Sequence, residues 1–210
     1  MTTLPYIDFH AHHPSLAGEW VIQDGVQTRG RHPWHLLSPS PLSAAPDGAQ
    51  QQLLAIGESG LDRLCDTPYP LQLQAFEAEV RKSEQCGLPL ILHCVRAIDD
   101  VLRIRRSLHA RQPILWHAYR GNAVQLRQLL ALSGENFYFS FGFRHRPEAL
   151  RLCPLPRLLL ETDEETRRPI AELYALAAAA RGIPLPDLLR QMHANYSLLF
   201  ASPGLSRPRP

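Results

Sequence analysis

Lysine is almost missing from this chain: Lys82 is the only one among 22 basic residues in 210, so positive charge is carried by arginine. The formal net charge is only +2. No strong global field therefore draws the protein to nucleic acid or to an anionic membrane, and any preference for a polyanion must be local. Cysteine is scarce as well. Cys65, Cys86, Cys94 and Cys153 form no C-x-x-C pair, and a chain of this size needs no disulfide staples, so they are read as reduced thiols. Nowhere does an apolar run reach membrane length, and the N-terminal M-T-T-L-P-Y-I-D lacks a basic flank followed by an apolar stretch. These absences predict a soluble, cytoplasmic protein with no membrane partner and no obligate protein partner. No internal repeat is present.

What is there fits one enzyme-sized core. Hydrophobic residues make up 45% and charged residues 20%, ordinary values for a globular chain. A single domain over residues 1–201 is expected, with a disordered tail from Ser202 to Pro210. Short apolar runs at Tyr6 to His10, Leu53 to Gly57, Leu88 to His93, Ile114 to His117, Phe137 to Phe141 and Leu158 to Glu161 read as strands, and one or two more fit between Trp20 and Arg29. Helical patterns fill the gaps: from Pro70 to a stop at Gly87, from an Asn122 cap to Gly134, from Pro169 to Arg181 with a stop at Gly182, and around Leu185 to Phe200. Leu37 to Gly48, with Pro39, Pro41 and Pro46, reads as a loop. Strands alternating with helices predict an α/β fold with a parallel sheet.

In α/β barrels reactive groups sit at the C-terminal ends of strands. Ligand-type side chains recur at those positions here. His10 and His12 close I-D-F-H-A-H and, two apart on an extended chain, point to one face. Glu58 follows A-I-G, His93 ends P-L-I-L-H, His117 ends P-I-L-W-H, and Asp163 follows L-L-L-E-T. A single histidine beside apolar residues is more often a hydrogen-bonded core group than a ligand, but six such residues at five strand ends form a pattern. Four imidazoles and two carboxylates suit borderline divalent cations such as Zn or Mn, with Mg less favoured by histidine. Two ions sharing a carboxylate is the natural arrangement. His13, His35, His109, His145 and His193 lack a strand-end context and are assigned to the surface or to loops.

The motifs D-F-H-A-H at Asp8 to His12, G-R-H-P-W at Gly30 to Trp34, G-E-S-G-L-D at Gly57 to Asp62, H-C-V-R-A at His93 to Ala97, H-A-Y-R-G at His117 to Gly121 and L-L-E-T-D at Leu159 to Asp163 together resemble the TatD-like metal-dependent deoxyribonucleases. The resemblance runs in order from Tyr6 to about Phe200. It implies a TIM-type (β/α) barrel and a dinuclear metal-dependent hydrolase cleaving phosphodiesters in DNA or other phosphate esters, with a nucleic-acid strand end as the substrate. It assigns His10, His12 and Asp163 to one ion, His93 and His117 to the other, and Glu58 as the bridge. Asp163 and Glu58 are thereby the candidate catalytic carboxylates, Asp163 as the proton shuttle. His32, in the G-R-H-P-W motif, is a candidate substrate contact. So are Arg96 and Arg120, each three residues past a ligand histidine and able to hold a phosphate through a bidentate fork. Only 17 residues separate His12 from Gly30, where the family fits a helix and a strand, so the barrel is expected to be trimmed on that side.

Two other functions fit parts of this pattern. A hydrolase of a cyclic amide, ester or lactone would use the same metals to polarise a carbonyl, yet many dinuclear members of that wider group bridge their ions with a modified strand-end lysine, and Lys82 sits in a helical stretch. A binding protein with a lapsed site has no reason to keep all six ligands.

Overall fold

The computed structural model describes residues 4–14, 19–38, 53–132 and 136–200. Met1 to Thr3, most of the proline-rich loop including Pro39, Pro41 and Pro46, the expected stop at Gly134, and the tail from Ser202 to Pro210 lie outside the described residues. In chain order the elements are β1 (Tyr6–Ala11), β2 (Glu19–Gln23), β3 (Thr28–Arg29), β4 (Ala55–Asp62), α1 (Tyr69–Cys86), β5 (Leu90–Val95), α2 (Ile98–Ser107), β6 (Ile114–Trp116), α3 (Ala123–Leu132), β7 (Phe137–Phe141), α4 (Pro147–Leu152), β8 (Leu158–Leu160), α5 (Ile170–Arg181) and α6 (Leu185–Phe200). No helix among the described residues is long and apolar enough to cross a membrane. By their internal contacts they fall into two compact units, Met1–Gln23 with His117–Pro210, and Asp24–Trp116.

In the first unit β1 pairs in parallel with β2, and β7 with β8. The link from β1 to β2 spans residues 12–18, too short for the helical crossover a parallel pair normally takes. This matches the trimming expected from the His12 to Gly30 spacing. Beneath β1, Phe9 packs on Tyr196 and Phe200 of α6, and Tyr6 meets Tyr174 of α5 edge to face. Tyr174 is fully buried, and its hydroxyl satisfies both backbone groups of Ile7, accepting from the N–H at 3.2 Å and donating to the carbonyl at 2.9 Å. One side chain thus fixes α5 against β1. Asn122 caps α3 in a reciprocal pair: its Oδ1 accepts from the Gln125 N–H at 2.9 Å, while Gln125 Oε1 accepts from the Asn122 N–H at 3.0 Å. α5 stops at Gly182, as the sequence predicts.

In the second unit β3, β4, β5 and β6 pair successively in parallel. Strands β4 and β5 are buried over most of their length and carry α1 and α2. β4 runs to Asp62, five residues beyond the Gly57 end expected from sequence, because Gly60 lets it lie flush against β5. A Cβ at Gly60 would stand 1.8 Å from the His93 carbonyl oxygen. Glu58 and His93 therefore lie within strands rather than at their last residues. Helix α2 is amphipathic, with Asp99 and Asp100 in its first turn, Arg105 and Arg106 in its last, and Val101 and Ile104 buried. Neither it nor α4 was anticipated from the sequence.

Tyr174→Phe keeps the packing but strips two buried backbone groups of their partner. The expected loss is about 1–3 kcal/mol in urea unfolding, a drop of several degrees in Tm, and an unchanged midpoint would show that the hydroxyl contributes nothing to holding α5 on β1.

Candidate functional site

Ligand-type side chains gather in both units, and each gathering is built by its own backbone. In the first unit the chain after β8 returns to the end of β1. Asp163 N–H donates to the His10 carbonyl at 3.0 Å and His12 N–H to the Asp163 carbonyl at 3.1 Å, extending the parallel ladder as a bridge between Ala11 and Asp163. Asp8 locks this junction. Its buried carboxylate accepts from the Thr162 N–H at 3.0 Å, from the Thr162 hydroxyl at 2.5 Å, and from the His10 N–H at 3.3 Å. Burial pushes the Asp8 carboxyl up to about 7, against the lowering effect of the Thr162 bonds.

The result is that His10, His12 and Asp163 present ligand atoms within 4.8 Å of one another. His12 Nε2 stands 3.5 Å from Asp163 Oδ1. Asp163 holds a left-handed backbone, φ 60°, uncommon for a side-chain-bearing residue and a form of strain that collects at functional sites. His117, just past β6, is buried, with its ring 4.8 Å from that of His10. Its Nδ1 lies 3.4 Å from Glu161 Oε1, and the same carboxylate accepts from the Ala118 N–H. Burial alone would raise Glu161, which is fully buried, but the neighbouring His117 and His10 imidazoles and Ser140 together hold the carboxyl below its ordinary value. Glu161 thus stands beside the His117 ring as its carboxylate partner.

In the second unit His32, Glu58 and His93 likewise bring ligand atoms within 4.8 Å of one another. Glu58 Oε1 lies 3.1 Å from His32 Nε2 and 2.8 Å from His93 Nδ1. On its other side His93 Nε2 lies 3.2 Å from Asp62 Oδ2. Asp62 also accepts from the Trp34 indole N–H at 2.8 Å and from the Leu64 N–H at 2.7 Å. Burial would raise its carboxyl, yet these bonds together hold it below the usual range. Burial pushes the His32 imidazole down in spite of Glu58 beside it, which favours the neutral, metal-ligating form.

Of the residues singled out from sequence, His10, His12 and Asp163 converge with His117 beside them, and Glu58 converges with His93. His32, expected as a substrate contact, sits inside a ligand triad. Arg96 and Arg120 are exposed, three residues past His93 and His117, and Arg96 has a left-handed backbone, φ 53°. Asp8, Asp62, Glu161 and Thr162 are supporting groups to which no role was given. Their signal was available, since Asp62 and Glu161 close or follow strands as the ligands do. His13, assigned to the surface, has Nε2 2.8 Å from the Thr162 hydroxyl, and His193 has Nε2 2.8 Å from the Pro5 carbonyl with its ring against Trp20. The partners of both lie far away in sequence, which hid them.

Residues 10–201 match the family described as TatD related DNase. The chain is 33% identical over 124 residues to the uncharacterized metal-dependent hydrolase YabD of Bacillus subtilis, a match covering 55% of this chain and 48% of that protein. The chain thus spans about half the length of that relative. It is 29% identical over 204 residues to a protein of Erwinia billingiae named 3'-5' ssDNA/RNA exonuclease TatD, covering 84% of this chain and 78% of that one. Among solved structures, the TatD homolog YJJV of Escherichia coli superposes with a TM-score of 0.68 at 19% identity, over 90% of this chain and 79% of that chain. At that identity the likeness is one of fold, the α/β barrel class expected from the sequence.

Asp62→Ala removes an acceptor from the Trp34 indole, the Leu64 N–H and His93 together. Stability measured by urea unfolding should fall by about 1–3 kcal/mol, with Asp62→Asn intermediate; equal midpoints for all three proteins would remove Asp62 from its supporting role.

Proposed function

This chain belongs to the TatD related DNase family, and on that premise we propose that it is a dinuclear metal-dependent hydrolase that cleaves phosphodiester bonds at nucleic-acid strand ends. The observation that carries the proposal is the pair of ligand triads, His10 with His12 and Asp163, and His32 with Glu58 and His93, each combining two imidazoles with a carboxylate. That donor set fits Zn or Mn, and Mg less well. The residues that would hold the ions are His10, His12, His117 and Asp163 in the first unit and Glu58 and His93 in the second, where His32 completes the triad.

Bound divalent ions supply Lewis acidity to the phosphoryl group and to the attacking water. The chain's own residues do the rest. Asp163, whose side chain is 24% exposed, is the carboxylate suited to take up the proton of the attacking water. Asp62 and Glu161 hold His93 and His117 in fixed orientations. The exposed guanidiniums of Arg96 and Arg120 bind non-bridging phosphate oxygens, for which their paired donors are matched.

Elemental analysis of the purified protein tests the metal assignment, with up to two divalent ions per chain expected and hydrolysis of oligonucleotides lost on chelation. Glu58→Gln keeps the side-chain shape and removes the only carboxylate charge of the second triad. Occupancy should fall towards one ion with the circular dichroism retained; full occupancy in the variant would exclude Glu58 as a ligand.

Arg96→Lys retains charge and loses the planar fork. Turnover of a phosphodiester should drop about five- to 150-fold, the equivalent of about 1–3 kcal/mol for one charge-assisted bond, while hydrolysis of a neutral lactone would be insensitive to the change. Phosphodiester kinetics equal to the parent's would exclude Arg96 as a phosphate contact.

A further inference from the structure

Trp34 is 53% exposed, a costly position for the largest apolar side chain, yet it is held from three sides. Its indole N–H donates to Asp62 Oδ2 at 2.8 Å rather than to water. Its ring stands edge to face on His32, with centroids 5.0 Å apart and planes at 88°, and on His93 at 5.6 Å and 75°. Its backbone N–H is capped by His32 Nδ1 at 3.2 Å, at the start of the short 3-10 turn Pro33–His35. An exposed indole with its polar atom satisfied by a buried carboxylate has a fixed orientation and nothing left to offer solvent except apolar surface. Two of the residues that fix it, His32 and His93, belong to the ligand triad itself.

We propose that Trp34 is a stacking platform for an unpaired nucleobase, and that it selects base-bearing strand ends over other phosphate esters at this site. The inference rests on the nuclease reading above and names the part of the substrate that reading leaves undefined. A flat, rigid, sequence-blind surface is what single-stranded nucleic acid recognition uses, because every base has a π face. The occupant's charge fits as well. Arg31 and Arg96, one preceding His32 and the other following β5, are exposed, so a backbone carrying phosphates meets guanidiniums on the same unit. Leu64, 61% exposed and tied through its N–H to the same Asp62 carboxylate, adds apolar surface beside the indole's anchor.

The test compares a phosphorothioate oligothymidylate, which resists cleavage, with a fully abasic strand of the same phosphate count. Binding is read by tryptophan fluorescence and by anisotropy of the labelled strand, using the purified protein as isolated. The parent should bind the base-bearing strand roughly ten- to a hundredfold more tightly than the abasic one, with quenching of its fluorescence. Trp34→Ala should lose most of that preference and the quenching, whereas Trp34→Phe, which keeps a π face, should retain most of the preference. No preference in the parent, or an undiminished preference in Trp34→Ala, would overturn the proposal. Cleavage of ordinary oligonucleotides is followed separately in the parent. Its absence, beside an intact Trp34-dependent binding preference, would sink the nuclease reading and leave the platform standing.

Discussion

The first unit turns on one carboxylate. Asp8 is buried at the centre of β1, and burying a charge without compensation is prohibitive, so it must gather donors. It takes both polar groups of Thr162 and the N–H of His10. That demand pins the chain after β8 to the end of β1, and the ladder bond from Asp163 to His10 follows from it. His10 and His12 share a face because strands alternate, but a shared face alone leaves the acid partner undefined. Asp8 supplies the partner by anchoring Thr162, the residue directly before Asp163.

The second unit reaches a comparable arrangement by steric rather than electrostatic means. Gly60 admits β5 so closely that any side chain there would overlap the His93 carbonyl. With β4 and β5 in that register, Gly60 is opposite His93 and Asp62 opposite Val95, so Glu58 and Asp62, two pleats of the same face, flank one imidazole. The side-chain bonds on either side of His93, 2.8 Å to Glu58 and 3.2 Å to Asp62, are the outcome. A glycine within G-E-S-G-L-D is therefore as much a site residue as the acids around it.

Much of this was legible from sequence because it is local. Strand cores such as Phe137–Phe141 follow from apolar runs, Gly87 and Gly182 end helices by adopting the left-handed conformation, and the ligand candidates followed from their positions after apolar runs. What escaped depends on contacts across the chain. Asp8 and Thr162 are 154 residues apart, and His193 finds its partner 188 residues away at Pro5. Helix α2 is faint in sequence for another reason: its buried side amounts to Val101 and Ile104 among charged residues. The extension of β4 to Asp62 was hidden because two glycines and two acids mimic a turn. His32 was placed in the right motif, but its inclusion in a ligand triad depends on how the turn at Pro33–His35 lies against β4, which no periodicity encodes.

The hydrogen bonds of the second triad also indicate how a cation would be accommodated. Both nitrogens of His93 face carboxylates, so ligation through either must replace a bond already made. Asp62 is the fixed neighbour, because the Trp34 indole and the Leu64 N–H hold both of its oxygens. Glu58 is the adaptable one: a single oxygen, Oε1, serves both His32 and His93. A cation at this triad would take the place of the contact at Nδ1, and Asp62 at Nε2 would be the carboxylate partner that keeps the ring oriented. Trp34 is bonded to the carboxylate that stays, and so its indole keeps its orientation whether or not the triad is loaded.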